Sequence, residues 1–283
     1  MKKLIIILML ITLAGCEVTE CPECKVLTVT CPDPILQDES VYVHFIDVGQ
    51  GDSILIKYKD TEMLIDCGKT TMGYKVKEYL EEQGVDELDY LLITHPDSDH
   101  MGGCYDVIRD INTKRIITNG QERENGFFKD VIELIDTEQL TATYEGETIN
   151  FGPAVMTTIQ TSIDSDDYNQ NSLVTKLVLK ETSILFTGDC DKECENGLLD
   201  KDIESDILKV AHHGSKFGTE IDFLEKVNPE IAIIQVGAYN NYGHPTQETI
   251  DRLTQEKATI YRNDLDGDIV VTITSEGYSV KWV

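Results

Sequence analysis

Short runs of apolar and β-branched residues begin at residue 41 and predict strands. The segments VYVHFIDVG (41–49) and DSILIKY (52–58) flank a glycine-rich turn, and TEMLIDCG (61–68) follows them. Runs of this composition, bounded by glycine or charged residues, are typical of strands joined by tight turns. The three segments therefore predict an antiparallel meander at the start of a folded domain.

Helical spacing follows the meander. In YKVKEYLEEQG (74–84), Val76, Tyr79 and Leu80 recur at the intervals of one helix face, and glycine ends the run. Further strands are predicted at LDYLLIT, NSLVTKLVLKE, TSILFTGD, SDILKVAHHGS, PEIAIIQVGA, TIYRNDLDGDIVVTIT and YSVKWV, with a second helix at TEIDFLEKV.

This order of elements predicts the fold class. Strands come first, and strands alternating with helices follow, which favours sheets covered by helices on their outer faces. We expect an α/β or α+β sandwich in one domain at 41–283. NSLVTKLVLKE and TSILFTGD predict a hairpin, and we expect a tight Asp-Gly hairpin turn within DLDGDI (264–269).

The N-terminus has the pattern of a signal peptide. Lys2 and Lys3 precede an apolar run that ends in Ala-Gly-Cys at Cys16. The run is too short to span a membrane, and a small-residue site follows it. LAGC resembles the lipobox of bacterial lipoproteins, so we expect a signal peptide at 1–16 and a lipid anchor on Cys16 outside the cytoplasmic membrane. The alternatives are an ordinary secretory signal and a buried helix.

Residues 17–40 are expected to form an extracytoplasmic tether. Three prolines and no sustained amphipathic period argue against regular structure. The segment also contains Cys21, Cys24 and Cys31. In an extracellular context a disulfide is the expected state of such cysteines.

The net charge narrows the possible partners. Twenty-four Lys and Arg against 52 Asp and Glu give a net charge of −28. This charge repels nucleic acid and anionic lipid at long range, so a polyanionic substrate has to overcome it. The alternative is that the excess of acidic residues simply forms a solvated surface and has no special function.

Metal-ligating residue types gather where three predicted strands end. The list comprises His95, Asp97, Asp99 and His100 after LLIT, Asp189 at the end of LFTGD, and His212 and His213 after ILKVA. A buried, unpaired charge is costly, and one divalent metal can compensate several such groups at once. The alternative is a set of acidic surface loops that carry histidine by chance.

These strings resemble a known family. THPDSDHMGG (94–103) is similar to the H-x-H-x-D-H signature of the metallo-β-lactamase superfamily, with Asp97 in place of the second histidine. FIDVGQGDSILI, LIDCG, NSLV, FTGD, HHGS, YGHP and DGDI accompany it. In combination they resemble the hydrolase domain of ComEC-type DNA-uptake competence proteins, over residues 41–283. The resemblance implies a four-layer αββα sandwich with a metal site, usually binuclear, at one edge.

The resemblance also implies roles for individual residues. The expected metal ligands are His95, Asp97, Asp99, His100, Asp189 and His213. The expected catalytic residues are Asp99, His212 and His244, and the expected substrate-binding residues are Asn171 and Ser215. His244 is the other candidate for the last ligand. Asn171 stands where many members have a ligand histidine.

The expected cofactor is a pair of divalent metal ions, with Zn or Mn favoured. Such ions lower the pKa of bound water, and a site of two metals suits a phosphodiester. We expect a metal-dependent phosphodiesterase or nuclease that uses metal-bound hydroxide on DNA, and that works with a separate uptake channel. The alternatives are an esterase for a small choline-phosphate or nucleotide diester, a β-lactamase, and an inactive surface binding module.

Two further features have simpler interpretations. GQGDS lacks the spacing of a phosphate-binding loop and is expected to be a strand turn, with Asp52 supporting the rim of the metal site. Cys67, Cys104, Cys190 and Cys194 are expected to be buried, inert thiols. Cys190 follows Asp189, so the alternatives for it are a metal contact or a disulfide.

Overall fold

The computed structural model describes residues 39–282 and two earlier strands, β1 (Glu17–Glu20) and β2 (Leu27–Thr30). The chain divides into two compact units, Met1–Asp38 and Glu39–Val283. In the first unit β1 and β2 pair antiparallel, so the segment expected to lack regular structure contains some. The predicted signal peptide, Cys16 and the other three N-terminal cysteines lie outside the described residues. Among described helices, none has the length and apolarity needed to cross a bilayer.

Strands supply most of the second unit. They are β3 (Val41–Phe45), β4 (Ile54–Tyr58), β5 (Thr61–Ile65), β6 (Glu87–Ile93), β7 (Asn112–Thr118), β8 (Leu140–Ala142), β9 (Thr148–Phe151), β10 (Ala154–Gln160), β11 (Val174–Leu179), β12 (Thr182–Phe186), β13 (Ile207–Lys209), β14 (Ile231–Ile234), β15 (Thr259–Arg262), β16 (Ile269–Thr274) and β17 (Gly277–Trp282).

Short helices connect these strands. They are α1 (Gly73–Glu82), α2 (Ser98–Met101), α3 (Cys104–Asp110), α4 (Gly126–Ile132), α5 (Lys192–Asn196), α6 (Ile221–Val227), α7 (Gln247–Gln255) and α8 (Asn263–Asp266), with 3₁₀ turns at Thr70–Met72, Asn169–Asn171 and Ala211–Gly214.

The strands form two mixed sheets, each of which combines antiparallel and parallel neighbours. One has eight strands in the order β17-β16-β3-β4-β5-β6-β7-β8, and the other has seven in the order β15-β14-β13-β12-β11-β10-β9. The predicted meander is confirmed, because β3, β4 and β5 pair antiparallel in sequence. The predicted hairpin of β11 and β12 is confirmed too. From β5 to β8 and from β12 to β15 the neighbours are parallel.

The hydrophobic core has three layers, one between the two sheets and one between each sheet and its helices. Inward residues of both sheets, such as Phe45 and Phe186 with ring centroids 6.3 Å apart, form the central layer. Outward residues of the eight-stranded sheet pack under α1, α3 and α4. Those of the seven-stranded sheet pack under α5, α6 and α7. Strands covered on both faces are apolar at consecutive positions rather than alternating. The predicted four-layer αββα sandwich is confirmed.

The segment after β15 differs from the prediction. We expected a tight Asp-Gly hairpin turn within 264–269, but β15 and β16 belong to different sheets. The connection is the helical turn α8, which ends at Gly267 with φ 68°. Asn263 fixes this turn by donating from Nδ2 to the carbonyls of Phe45 and Gly267. A hairpin is wrong here because the chain crosses the central layer at this point.

Candidate metal centre

The candidate centre lies at one edge of the sandwich, where parallel strands end side by side. β12 and β13 are parallel neighbours, with Phe186 opposite Lys209, so Asp189 and His213 leave the sheet close together. β5 and β6 are parallel neighbours in the other sheet and deliver Asp66 and His95. Open α/β sheets bind ligands at the carboxyl ends of their strands.

The loop after β6 is held by close backbone packing. Asp52 N–H donates to Asp99 O at 3.1 Å, and Cys67 N–H donates to His100 O at 2.7 Å. A Cβ at Gly103 would overlap the carbonyl oxygen of Cys67, and one at Gly51 would overlap that of Asp99. Glycine at these positions therefore allows neighbouring loops to approach the histidine-bearing loop and fix it.

Five of the predicted residues come together in overlapping groups. His95, His100 and Asp189 form one group, and Asp99, His100 and His213 form a second, each with ligand atoms within 4.8 Å of one another. His100 Nε2 lies 3.2 Å from Asp189 Oδ1, and His213 Nε2 lies 3.5 Å from Asp189 Oδ2. Asp189 and His100 therefore occupy the middle of the cluster.

Several buried polar atoms in this cluster have no hydrogen-bond partner among the described residues. They are the Nε2 atoms of His95, His100 and His213 and Oδ1 of Asp189. Buried polar atoms are nearly always paired, and leaving them unpaired is costly. Imidazole nitrogens and carboxylate oxygens that converge in this way are the donor set of a divalent transition metal. The residues present fit such an ion.

Neighbouring groups aim each imidazole at the cluster. His100 Nδ1 lies 2.8 Å from Asp66 Oδ2, and His213 Nδ1 lies 2.9 Å from the carbonyl of Gln235. Asp66 also accepts hydrogen bonds from the backbone and hydroxyl of Thr94. Ligand histidines in metalloproteins are oriented by such carboxylates and carbonyls. The prediction omitted Asp66, although its place at the end of the TEMLID strand was a usable signal.

A fully buried lysine also adjoins the cluster. Lys209 forms an ion pair with Asp52 and donates to the carbonyl of Gly188 at 2.9 Å. Although burial opposes the charge of Asp52, Lys209 and His100 hold the pKa of Asp52 below its usual value. Asp52 Oδ1 lies 3.3 Å from His213 Nδ1, which fits the expected support at the rim. The prediction omitted Lys209, whose sequence signal was a lysine within the apolar run ILKVA.

Asp97 is the predicted ligand that the structure leaves out of the cluster. Its carboxylate forms an ion pair with Arg123, which also donates to the carbonyl of Pro96 at 3.3 Å. No metal-ligating group among the described residues includes it. Arg123 lies 26 residues downstream, so the local spacing of the signature gave no sign of this partner.

His212 lies beside the cluster rather than in it. Its Nδ1 is 3.0 Å from Asp191 Oδ1, and its Nε2 is 3.8 Å from Asp189 Oδ2. Consecutive left-handed residues, with φ 47° at His212 and 53° at His213, let both side chains reach the same edge. Burial opposes the imidazolium form, but Asp189 and Asp191 raise the pKa of His212 above its usual value.

His244 lies one ring further out. Its ring centroid is 5.5 Å from that of His212, and it belongs to none of the described metal-ligating groups. Burial, followed by the charges of His212 and His213, lowers the pKa of His244 to about 4, so this imidazole is neutral at pH 7. Between the two candidates for the last ligand, the geometry favours His213.

The two predicted substrate-binding residues are buried elsewhere. Asn171 Oδ1 accepts from the hydroxyl of Ser162 at 2.7 Å, and its Nδ2 donates to the carbonyl of Ser165 at 2.6 Å. The hydroxyl of Ser215 accepts from Phe217 N–H at 3.2 Å. Both side chains therefore satisfy loop backbone or loop hydroxyls and do not face the cluster. Ser172, next to Asn171, is the residue that contacts it, with Oγ 3.4 Å from His95 Nδ1.

The expectation of inert thiols is wrong, because the four cysteines near the site form two disulfides. Cys67 pairs with Cys104, and Cys190 pairs with Cys194. Cys67 follows Asp66, and Cys190 follows Asp189. One bridge therefore fixes the backbone beside Asp189 of the cluster, and the other fixes the backbone beside Asp66, which orients His100.

Replacing Cys67 and Cys104 together by alanine is expected to lower the free energy of unfolding by about 3 to 4 kcal/mol, because the bridge spans 37 residues. The paired Cys190→Ala/Cys194→Ala variant is the matched control. Its bridge spans 4 residues, so a smaller loss of about 2 kcal/mol is expected. Urea unfolding of both variants measures the difference, and equal losses would contradict the loop-length explanation.

Comparison with known proteins identifies the family. The sequence profile of the metallo-beta-lactamase superfamily matches residues 46–237, about two thirds of the chain. The protein belongs to the metallo-β-lactamase superfamily. The match contains every member of the cluster described above and makes the protein a metal-dependent hydrolase of this fold.

Relatives within the superfamily confirm the resemblance to competence proteins. The chain is 30% identical to ComE operon protein 3 of Bacillus subtilis over 277 residues, covering 87% of this chain and 34% of the relative. It is 29% identical to competence protein ComA of Neisseria gonorrhoeae over 244 residues, covering 83% and 33%. The chain thus spans about a third of the length of these relatives.

A solved structure of a metallo hydrolase shares the fold of this chain. Igni18, a metallo hydrolase of the archaeon Ignicoccus hospitalis, aligns with a TM-score of 0.54. The alignment covers 81% of this chain and 98% of that protein at 13% identity. At this identity the likeness concerns the fold alone.

Proposed function

We propose that this protein is a metal-dependent phosphodiesterase that cleaves DNA outside the cytoplasmic membrane. The observation that carries the proposal is the set of four buried, unpartnered donor atoms on His95, His100, Asp189 and His213. The names of the similar proteins, which include competence proteins and recombination protein 2 of Haemophilus influenzae, favour DNA as the substrate.

The proposed ligands of two divalent ions, Zn or Mn, are His95, Asp99, His100, Asp189 and His213. When bound, such ions supply a water of lowered pKa and neutralise charge that develops on the phosphate. The protein contributes the orientation of its imidazoles. Asp66 fixes His100, and Gln235 fixes His213, so neither ring has to reorganise during the reaction.

His212 is proposed as the proton donor to the leaving oxygen. It adjoins the cluster directly and is partly exposed, with its side chain 21% exposed and its Nε2 3.8 Å from Asp189 Oδ2. Asp191 holds its Nδ1, which leaves Nε2 directed toward Asp189 and the substrate side. A general acid of this kind contributes about 10²- to 10⁴-fold to the rate.

His212→Asn is expected to lower kcat for a dinucleotide by about 10²- to 10⁴-fold, because the leaving alkoxide needs a proton. Hydrolysis of methyl p-nitrophenyl phosphate is expected to fall far less, since nitrophenolate leaves without one. Steady-state rates on both substrates measure this difference. His44→Asn, which changes a buried histidine remote from the cluster, is the control. Equal losses on both substrates would show that His212 acts through the metals instead.

The substrate itself is tested by hydrolysis. The purified protein, loaded with Mn²⁺ or Zn²⁺, is expected to release nitrophenol from methyl p-nitrophenyl phosphate and to shorten DNA. The net charge of −28 favours the second candidate, an esterase for a small diester. Turnover of the small diester with no cleavage of DNA at any salt concentration would support that alternative. No turnover of either would leave a binding module.

The two disulfides beside the cluster support the proposed location. Disulfides persist in oxidising compartments and are rare in the cytosol. The proposed membrane attachment is a lipid on Cys16. Release of a Cys16→Ala variant from the membrane fraction tests the attachment, and unchanged fractionation would oppose it.

A further inference from the structure

A row of rings leads from the metal centre to the surface. The ring centroid of His213 is 6.1 Å from that of His212, and His212 is 5.5 Å from His244. His244 in turn stacks on Tyr242 at 5.7 Å with an interplanar angle of 28°. Tyr242 is 63% exposed, so the outer end of the row presents an aromatic face to solvent beside the cluster.

The loop that carries the outer rings is held by one amide. Asn240 Nδ2 donates to the carbonyl of His244 at 2.6 Å, and Asn240 Oδ1 accepts from His244 N–H at 3.1 Å. The same oxygen accepts from Tyr242 N–H at 3.1 Å. The backbone that carries both rings is therefore fixed before any ligand arrives.

Positive charge accompanies this aromatic face. Lys69 Nζ lies 5.8 Å from the ring centroid of Tyr242. The guanidinium carbon of Arg123, which pairs with Asp97, lies 4.7 Å from the ring centroid of Tyr168. The chain has 24 basic residues against 52 acidic ones, so the ammonium group of Lys69 is one of few positive charges available to a phosphate beside Tyr242.

We infer that Tyr242, stacked on His244, is a binding site for a nucleobase next to the scissile phosphate, with Lys69 near the adjoining phosphate. The inference rests on the proposed phosphodiesterase function and refines its substrate to an unpaired strand. Bases in a duplex are already stacked on one another, whereas single-strand binding proteins stack bases on exposed aromatic rings beside basic groups. Such binding depends less on charge than phosphate contacts do, which suits a chain this acidic.

The alternative occupant is a choline headgroup. Quaternary ammonium groups are recognised by cages of several aromatic rings. Here a single exposed ring has an ammonium group nearby, Lys69 Nζ at 5.8 Å from the ring centroid of Tyr242, so a second cation would be repelled. The arrangement therefore favours a nucleotide over a choline-phosphate diester.

The test compares Tyr242→Ala with Tyr74→Ala. Tyr74 lies on α1 and is 62% exposed, so it matches the exposure of Tyr242 away from the site. For a single-stranded oligonucleotide, Tyr242→Ala is expected to raise KM by about 10- to 100-fold, since the variant loses the stacking of one base on an aromatic ring. The ratio of kcat/KM for the oligonucleotide to that for methyl p-nitrophenyl phosphate falls correspondingly. Tyr242→Trp restores it, and Tyr74→Ala leaves it unchanged.

The outcomes separate this inference from the proposed function. If the unaltered protein cleaves neither the oligonucleotide nor methyl p-nitrophenyl phosphate, the proposed function fails. If the unaltered protein cleaves both substrates and Tyr242→Ala has the same KM for the oligonucleotide, the proposed nucleobase site is wrong, while the proposed phosphodiesterase function is retained. If Tyr242→Ala raises KM more for p-nitrophenylphosphorylcholine than for the oligonucleotide, the nucleobase site is overturned and a choline site is supported.

Discussion

Asp189→Asn is expected to remove most of the bound metal and to lower kcat/KM for a diester by at least about 10³-fold. Asp189 belongs to the first group of ligands, 3.2 Å from His100 Nε2, and also adjoins the second group, 3.5 Å from His213 Nε2. Asparagine keeps the size of the side chain but removes the negative charge that attracts both ions. Metal content by mass spectrometry on the purified protein and the rate of diester hydrolysis measure the two losses.

Asp97→Asn is the matched control for this experiment. Asp97 belongs to the same signature as the ligands, yet its carboxylate pairs with Arg123 outside the cluster. We therefore expect the Asp97→Asn variant to retain its metal. Circular dichroism is expected to show that both variants are folded. Loss of metal from Asp97→Asn, or full retention in folded Asp189→Asn, would contradict the ligand set drawn from the structure.

Lys209→Met is expected to lower the free energy of unfolding by about 3 to 5 kcal/mol, because it leaves Asp52 buried without its cation. Removing both partners of a buried pair is far less costly than removing one. The double variant Lys209→Met/Asp52→Asn is therefore expected to recover much of this loss. Urea unfolding of the wild type, both single variants and the double variant, with a chelator present, measures the coupling apart from metal binding.

Asn150→Asp provides a control for this cycle, since it adds a carboxylate at an exposed position on the edge strand β9. Additive losses in Lys209→Met and Asp52→Asn would show that the two side chains do not depend on each other. In that case the stability of the site would come from the hydrogen bond of Lys209 to Gly188 rather than from charge compensation.

The parts of the site that sequence predicted are those at strand ends. His95, Asp189 and His213 each follow an apolar run within a few residues, and local pattern is enough to place them at one edge of a sheet. The four-layer fold could also be predicted, because the order of strands and helices is itself visible in local sequence patterns. Its runs of consecutive apolar residues reflect sheets that are covered on both faces.

The parts that sequence did not predict depend on partners far away in the chain. Asp97 resembled a ligand by spacing, but whether it reaches a metal depends on Arg123 in another loop. Lys209 and Asp52 are 157 positions apart in the sequence, and nothing in the residues around either one indicates that the two form an ion pair. The two disulfides posed the same problem, since a cysteine near a motif gives no indication of where its partner lies.

The order in which the chain emerges during synthesis limits when the domain can fold. β3, the first strand of the domain, pairs with β16, so Val43 lies opposite Val271 near the other end. Contacts this distant in sequence form late, because loop closure opposes them. The eight-stranded sheet therefore stays open along one side of β3 until β16 has been made. A nascent chain that has not yet produced β16 therefore lacks the partner that covers this side of β3.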